Sequence, residues 1–166
     1  MTDNVIKLNK NSILRLKIET DTGEDTGEYL EFDLEDIELP LRYQDLLEKD
    51  KKNKENLRNQ LVIIEKRQDV KGKKLLTKNE EDKIKAINDF FKKQIDVYNM
   101  FLGENGVQKL LNGRKFGWTT LNEIDNIIQE QIVPYLDLSM KGITDKIRNK
   151  YTRPIKNNSE EIEIVK

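Results

Sequence analysis

Two Asp-Thr-Gly triplets four residues apart, Asp21-Thr22-Gly23 and Asp25-Thr26-Gly27, come nearest in this chain to a catalytic arrangement. Two aspartates that share one proton make an acid–base catalyst when both are buried in an apolar site. Here both lie in one polar stretch, DTGEDTGE, flanked by Glu19, Glu24 and Glu28, and that composition argues for a solvated hairpin tip. The stretch also fails as a calcium loop. Counted from Asp21, Gly23 falls at loop position 3, where a ligand belongs, and Phe32 falls where the bidentate acid belongs.

A second stretch, FLGENGVQKLLNGRKFGWTT, sets Gly103, Gly106, Gly113 and Gly117 among large apolar side chains. A phosphate-cradling loop needs a Gly-Lys-Ser/Thr ending and a buried strand before it, and neither is present. Gly103 instead reads as the end of a helix, Gly106 as a close-packing position or sharp helix entry, and Gly113 as the end of a short helix. The basic runs KDKKNK and KGKK are broken or followed by acids, with no interleaved aromatic on which bases would stack. Nucleic acid is therefore not the expected partner. The chain contains no histidine and no cysteine, which removes the usual general base, thiolate nucleophile and zinc ligands. No catalytic, cofactor-binding or metal-binding residue is assigned, and a non-enzymatic protein is expected.

The composition fits that expectation. The 166 residues include 30 Lys and Arg against 31 Asp and Glu, for a net charge of −1, so no global field favours nucleic acid or anionic membrane. Charged residues make up 37% of the chain and apolar residues 36%, which favours long solvated helices around a small or elongated core. MTDNVIKLNK carries no apolar stretch of the secretory kind, and no run approaches the length of a membrane span. A soluble intracellular protein is expected.

Positioning elements follow from periodicity. Residues 12–19 alternate, with Leu14, Leu16 and Ile18 on one face, and Tyr29–Leu34 place Leu30, Phe32 and Leu34 on one face. Period two with one apolar face predicts two half-buried strands, joined by a loop over Asp21–Glu28. Pro40 suits the first turn of a helix over about 41–68, with apolar residues from Tyr43 to Ile64. Its polar gap, Lys49–Asn56, predicts a projecting or frayed middle. Thr77 and Glu80 form a capping-box pattern before a stripe of Ile84, Ile87, Phe91, Ile95, Tyr98 and Leu102, widened by Phe90 and Phe101. These two helices should pack antiparallel. A short helix over about 104–112 follows. Then comes a helix capped by Thr120 and Glu123, with Leu121, Ile124, Ile128, Ile132 and Leu136 on its stripe, and Pro134 is expected to kink or stop it. A further helix, 139–150, has Met140, Ile143 and Ile147 on its apolar face.

The fold class expected is therefore mainly α with a small N-terminal β-hairpin, an α+β arrangement. Its parts are a flexible N-terminus over 1–11, a hairpin-plus-helical core over 12–136, an additional helix over 137–150 and a mobile tail over 151–166. The tail's EIEIV is able to add as an edge strand to a partner. Aromatic and apolar residues in the middle of the chain exceed what one helix face needs, which leaves two readings: simple core packing, or a second buried face that is an oligomer interface or a partner groove. The candidate partner-binding residues are Phe90, Phe101, Leu102, Gly103, Leu110, Leu111, Phe116 and Trp118.

The order of elements carries a resemblance. The hairpin ending YLEFDLEDIEL leads into LPLRYQDLLEK, then IKAINDFFKKQIDVYNMFLGENGVQKLLNG and WTTLNEIDNIIQEQI. This layout resembles the small tail assembly chaperones of phages infecting Gram-positive bacteria, with Phe90, Phe91, Phe101, Gly103, Glu104, Gly106, Lys109 and Gly113 at the matching positions. The resemblance covers roughly residues 12–136, and the segment after about 137 extends beyond the usual pattern. It implies a non-catalytic protein of the infected host's cytoplasm that coats the helical tape-measure protein, helps tail-tube subunits assemble around it and self-associates. The residues themselves leave two other readings open: a small helical adaptor or inhibitor of a host protein, and a nucleic-acid-binding module using the basic runs.

Overall fold

The computed structural model describes residues 12–152, so the expected N-terminal segment 1–11 and the tail from residue 153 lie outside the described residues. Two strands, β1 (Ile13–Glu19) and β2 (Asp25–Asp33), form an antiparallel hairpin. Leu14 faces Phe32 and Leu16 faces Leu30 across the pair. The expected face is thus the buried one, with Ile18, Leu30 and Phe32 all in the core. The loop is shorter than DTGEDTGE. β2 already begins at Asp25, Thr26 Oγ1 donates to the Ile18 carbonyl at 2.7 Å, and the register shifts between Lys17 and Glu19. The second triplet is therefore strand, recruited by a side-chain bond to the opposite strand.

Helix α1 (Leu39–Glu65) has Pro40 in its first turn and runs unbroken through the polar gap, which corrects the expected frayed middle. Helix α2 (Lys78–Leu102) lies antiparallel to it: Lys49 approaches Met100, Asn53 approaches Gln94 and Glu65 pairs with Lys83. The gap is continuous because its inward positions find partners on α2. Asp50 and Asn53 both bond Gln94, whose side chain is completely buried.

Thr77 closes the capping box at the start of α2. Its hydroxyl accepts the Glu80 amide at 3.2 Å, and the Glu80 carboxylate accepts the Thr77 amide at 2.7 Å. Each bond satisfies an amide that the first helical turn leaves open. The buried line of α2 is Phe90, Gln94, Val97, Tyr98, Phe101 and Leu102, while Ile84 is 53% exposed. The rest of the expected stripe packs inward: Tyr98 and Leu102 are buried, and Ile87, Phe91 and Ile95 lie partly buried against the core. Phe90 and Phe101, expected only to widen it, are core because α2 is covered from two sides.

Gly103, at φ +100°, ends α2 in a conformation that disfavours a side chain, and α3 (Gly106–Leu111) follows, ending at Asn112 and Gly113. Helix α4 (Trp118–Ile127) begins two residues before the expected cap. Thr120 sits inside the first turn, where its hydroxyl accepts the Gly117 amide at 2.8 Å, and Glu123 takes Arg114 rather than capping.

Pro134 neither stops nor isolates the next helix. A π turn, Ile128–Ile132, joins α4 to α5 (Val133–Ile147), with the Val133 amide reaching back to the Ile128 carbonyl. The wider turn accommodates a ring that cannot donate and that would crowd a regular turn. Ile128, Ile132 and Leu136 stay buried through it, as their stripe predicts. α5 crosses residue 137 without a break, and a last π turn, Arg148–Thr152, extends it. The face of α5 that packs carries Leu136 and Ser139, whose hydroxyl donates to the Leu34 carbonyl; Met140 and Ile147 face outward. Among the described residues no helix is long and apolar enough to cross a membrane. The architecture is mainly α with a two-stranded hairpin laid on the helices.

Candidate partner-binding groove

Side chains at positions 54, 57, 58, 61, 62 and 65 of α1 recur at three- and four-residue steps and share one helix face. That face looks onto Phe90 of α2 and onto Trp118, Leu121 and Asn122 at the start of α4. Together they enclose a groove of about 400 Å³. Leu57, Phe90 and Leu121 form its buried floor, Leu61 is half-buried, and Val62 and Trp118 stand 41% and 51% exposed. Lys54, Arg58 and Glu65 rim it.

Trp118 reaches this position because α4 starts there. Gly117 is fully extended, and the Thr120 bond to its amide fixes the angle at which the helix enters. The indole then stacks on Phe90, with centroids 5.7 Å apart and planes at 28°, and meets the Phe91 ring edge-on at 4.9 Å. Phe116 backs the cluster at 5.4 Å from Phe91. Offset and edge-to-face pairs of this kind hold rings in fixed orientation. One face of Trp118 is thus locked against the protein while half its surface meets solvent.

The rim is electrostatically uneven. Glu65 is engaged by Lys83 at 3.2 Å, and Lys54 by Asp50 at 2.8 Å, whereas Arg58 has no acidic partner among the described residues. Arg58 therefore leaves one positive charge on the rim without an acidic partner among the described residues.

Of the eight candidate residues, the structure brings Phe90 and Trp118 into this groove and packs Phe116 on Phe91 and Tyr98, outside the groove lining. Phe101 and Leu102 are core, 4% and 3% exposed; Phe101 packs against Phe32 and Tyr43 under the hairpin. Gly103 is an exposed helix end. Leu110 and Leu111 are half-buried on α3, and Leu110 lines a separate hollow with Leu16, Ile18 and Leu30. The groove adds Leu57, Arg58 and Leu121, which the candidate set lacked.

The triplet aspartates are not brought into a shared site. Asp21 lies in the exposed turn. The Asp25 carboxylate accepts the Gly27 amide at 2.8 Å and pairs with Lys17 at 3.2 Å, which together hold it below the usual carboxylate range. No protein-family model matches the chain, and neither the curated proteins nor the solved structures yield a match.

Proposed function

We propose that the protein is a non-catalytic assembly chaperone of the phage-tail kind, acting in the infected host's cytoplasm and receiving amphipathic helical segments of a tape-measure protein in the Trp118 groove. The observation that carries this reading is Trp118 itself: a large aromatic side chain, rigidly stacked on one side and half open to solvent on the other, over an apolar floor. Rigid aromatic anchors at the centre of an apolar depression are the usual seat of binding energy in protein–protein contacts. The channel between α1 and α4 suits a helix that inserts side chains at three- and four-residue steps. The order of elements from the hairpin to α4 supports the family part of the reading.

Trp118 is the sole tryptophan, so its emission reports the groove directly. Titration with tape-measure segments should shift that emission to shorter wavelength and protect it from a soluble quencher. Val62→Asp places a charge in the wall at a position already 41% exposed, so folding should survive while affinity falls at least about tenfold. Unchanged affinity in a folded Val62→Asp protein would remove the groove from the proposal.

A further inference from the structure

We propose that, in the absence of a client, the Trp118 groove of one molecule is occupied by the segment Glu160–Val165 of a neighbouring copy. The inference rests on reading the groove as a docking site and names a second occupant for it. Outside the described residues the chain continues NNSEEIEIVK, in which Glu161 and Glu163 alternate with Ile162 and Ile164. Laid out as an extended strand, such a stretch has an isoleucine face and a carboxylate face. The groove offers the complement: an apolar floor of Leu57, Phe90 and Leu121, walled by Trp118, with Lys54 and Arg58 on the rim and the rim acid Glu65 already held by Lys83. Arg58, lacking an acidic partner among the described residues, is the charge such carboxylates would neutralise.

Reach favours a neighbouring copy as the source of the segment. The helical run from Trp118 to Thr152 is about 50 Å long at the rise of an α-helix. The ten residues from Arg153 to Ile162 span at most about 36 Å when fully extended. Ile162 therefore falls short of Trp118 in its own chain, and a neighbouring copy has no such restriction. A groove on one copy and a segment on the next make a head-to-tail contact, which closes into rings or propagates as a chain. Because client and segment compete for the same floor, assembly of copies and capture of client become alternative states of one site.

The test uses the full chain, by sedimentation velocity over a concentration series with Trp118 emission read on the same samples. Wild-type protein should self-associate with a shift of Trp118 emission to shorter wavelength, and a synthetic peptide of residues 157–166 should reverse the association. Ile162→Asp with Ile164→Asp should weaken association at least about tenfold. Arg58→Glu should weaken it as well, and Glu161→Arg with Glu163→Arg in the same chain should restore it. Far-ultraviolet circular dichroism checks that each variant is folded. The charge swap separates a direct contact from a general loss of stability. Association that is absent in wild type, or unaltered by the isoleucine substitutions, overturns the inference. Titration of the isoleucine variant with a tape-measure segment reads the groove's client role separately: binding there with association lost supports both, and association lost without client binding leaves the groove a self-docking site only.

Discussion

Gln94 donates from Nε2 to the carboxylate of Asp50 across the α1–α2 interface, and its own Oε1 accepts from Asn53 Nδ2 at 3.4 Å. Gln94 is 0% exposed, in the middle of an otherwise apolar helix face. A buried amide is costly unless its bonds are made. Here they are, and among the described residues no buried side-chain polar atom lacks a partner. A satisfied polar pair inside an apolar interface fixes register: sliding α2 by one turn would set Phe90 or Tyr98 opposite Asp50 and strand Gln94 against apolar groups.

Replacing Gln94 by alanine should therefore cost more than lost contact area alone, about 2–4 kcal/mol in urea unfolding, because it leaves a cavity and deprives Asp50 of a donor. Gln94→Leu fills the space and should cost less. The double change Gln94→Leu with Asp50→Ala should recover most of the loss, because it removes both halves of the polar pair. A Gln94→Ala protein within about 0.5 kcal/mol of wild type would show that the pair does not hold the helices together.

The same pair explains where sequence reading stops. The hairpin faces and the Thr77 cap were legible because their partners are near in sequence or fixed by alternation: Leu30 and Phe32 point inward, and Glu80 bonds Thr77 three residues away. The polar gap was illegible because Asp50 and Asn53 find their partner more than forty residues on, in Gln94. The α2 stripe was read too narrowly for a related reason. Periodicity identifies one apolar face, and α2 has neighbours on two, so Phe90 and Phe101 read as flanks when they are core. In the groove, Phe90 and Trp118 were visible as aromatics in a charged chain. Leu57 and Arg58 were not, since nothing local states which face of α1 meets α4.

Gly106 lies against Leu102 so closely that an added Cβ would stand 2.6 Å from the Leu102 Cβ. That distance is inside any ordinary contact, and the obstructing atom is fixed to the backbone of α2. Gly106→Ala should destabilise by about 1–3 kcal/mol, as overpacking does. Gly142, in α5, is the control, since nothing lies within 4 Å of its added Cβ. There the same change should stabilise by roughly 0.5–1 kcal/mol through helix propensity. Opposite signs in thermal melts are expected; a Gly106→Ala protein as stable as Gly142→Ala would show that α3 shifts freely away from α2.

Tyr98 gives the pH dependence a definite direction. It is 1% exposed, and its hydroxyl donates to the Asp125 carboxylate. Burial first, and then the bond to Asp125, push its pKa far above the ordinary 10.0. The folded state thus holds the phenolic proton more tightly than the unfolded state does. The resulting stability is fully present below pH 10.0 and declines as pH rises above it towards the folded value. A single retained proton gives a slope of about 1.4 kcal/mol per pH unit in that window. Tyr98→Phe should lose about 1 kcal/mol near neutrality with its hydrogen bond, yet show a shallower alkaline decline than wild type. Urea midpoints compared between the two proteins from neutral pH into the alkaline window cancel contributions from the other tyrosines and the lysines. Parallel curves for the two proteins would mean that the Tyr98 proton is not what the folded state protects.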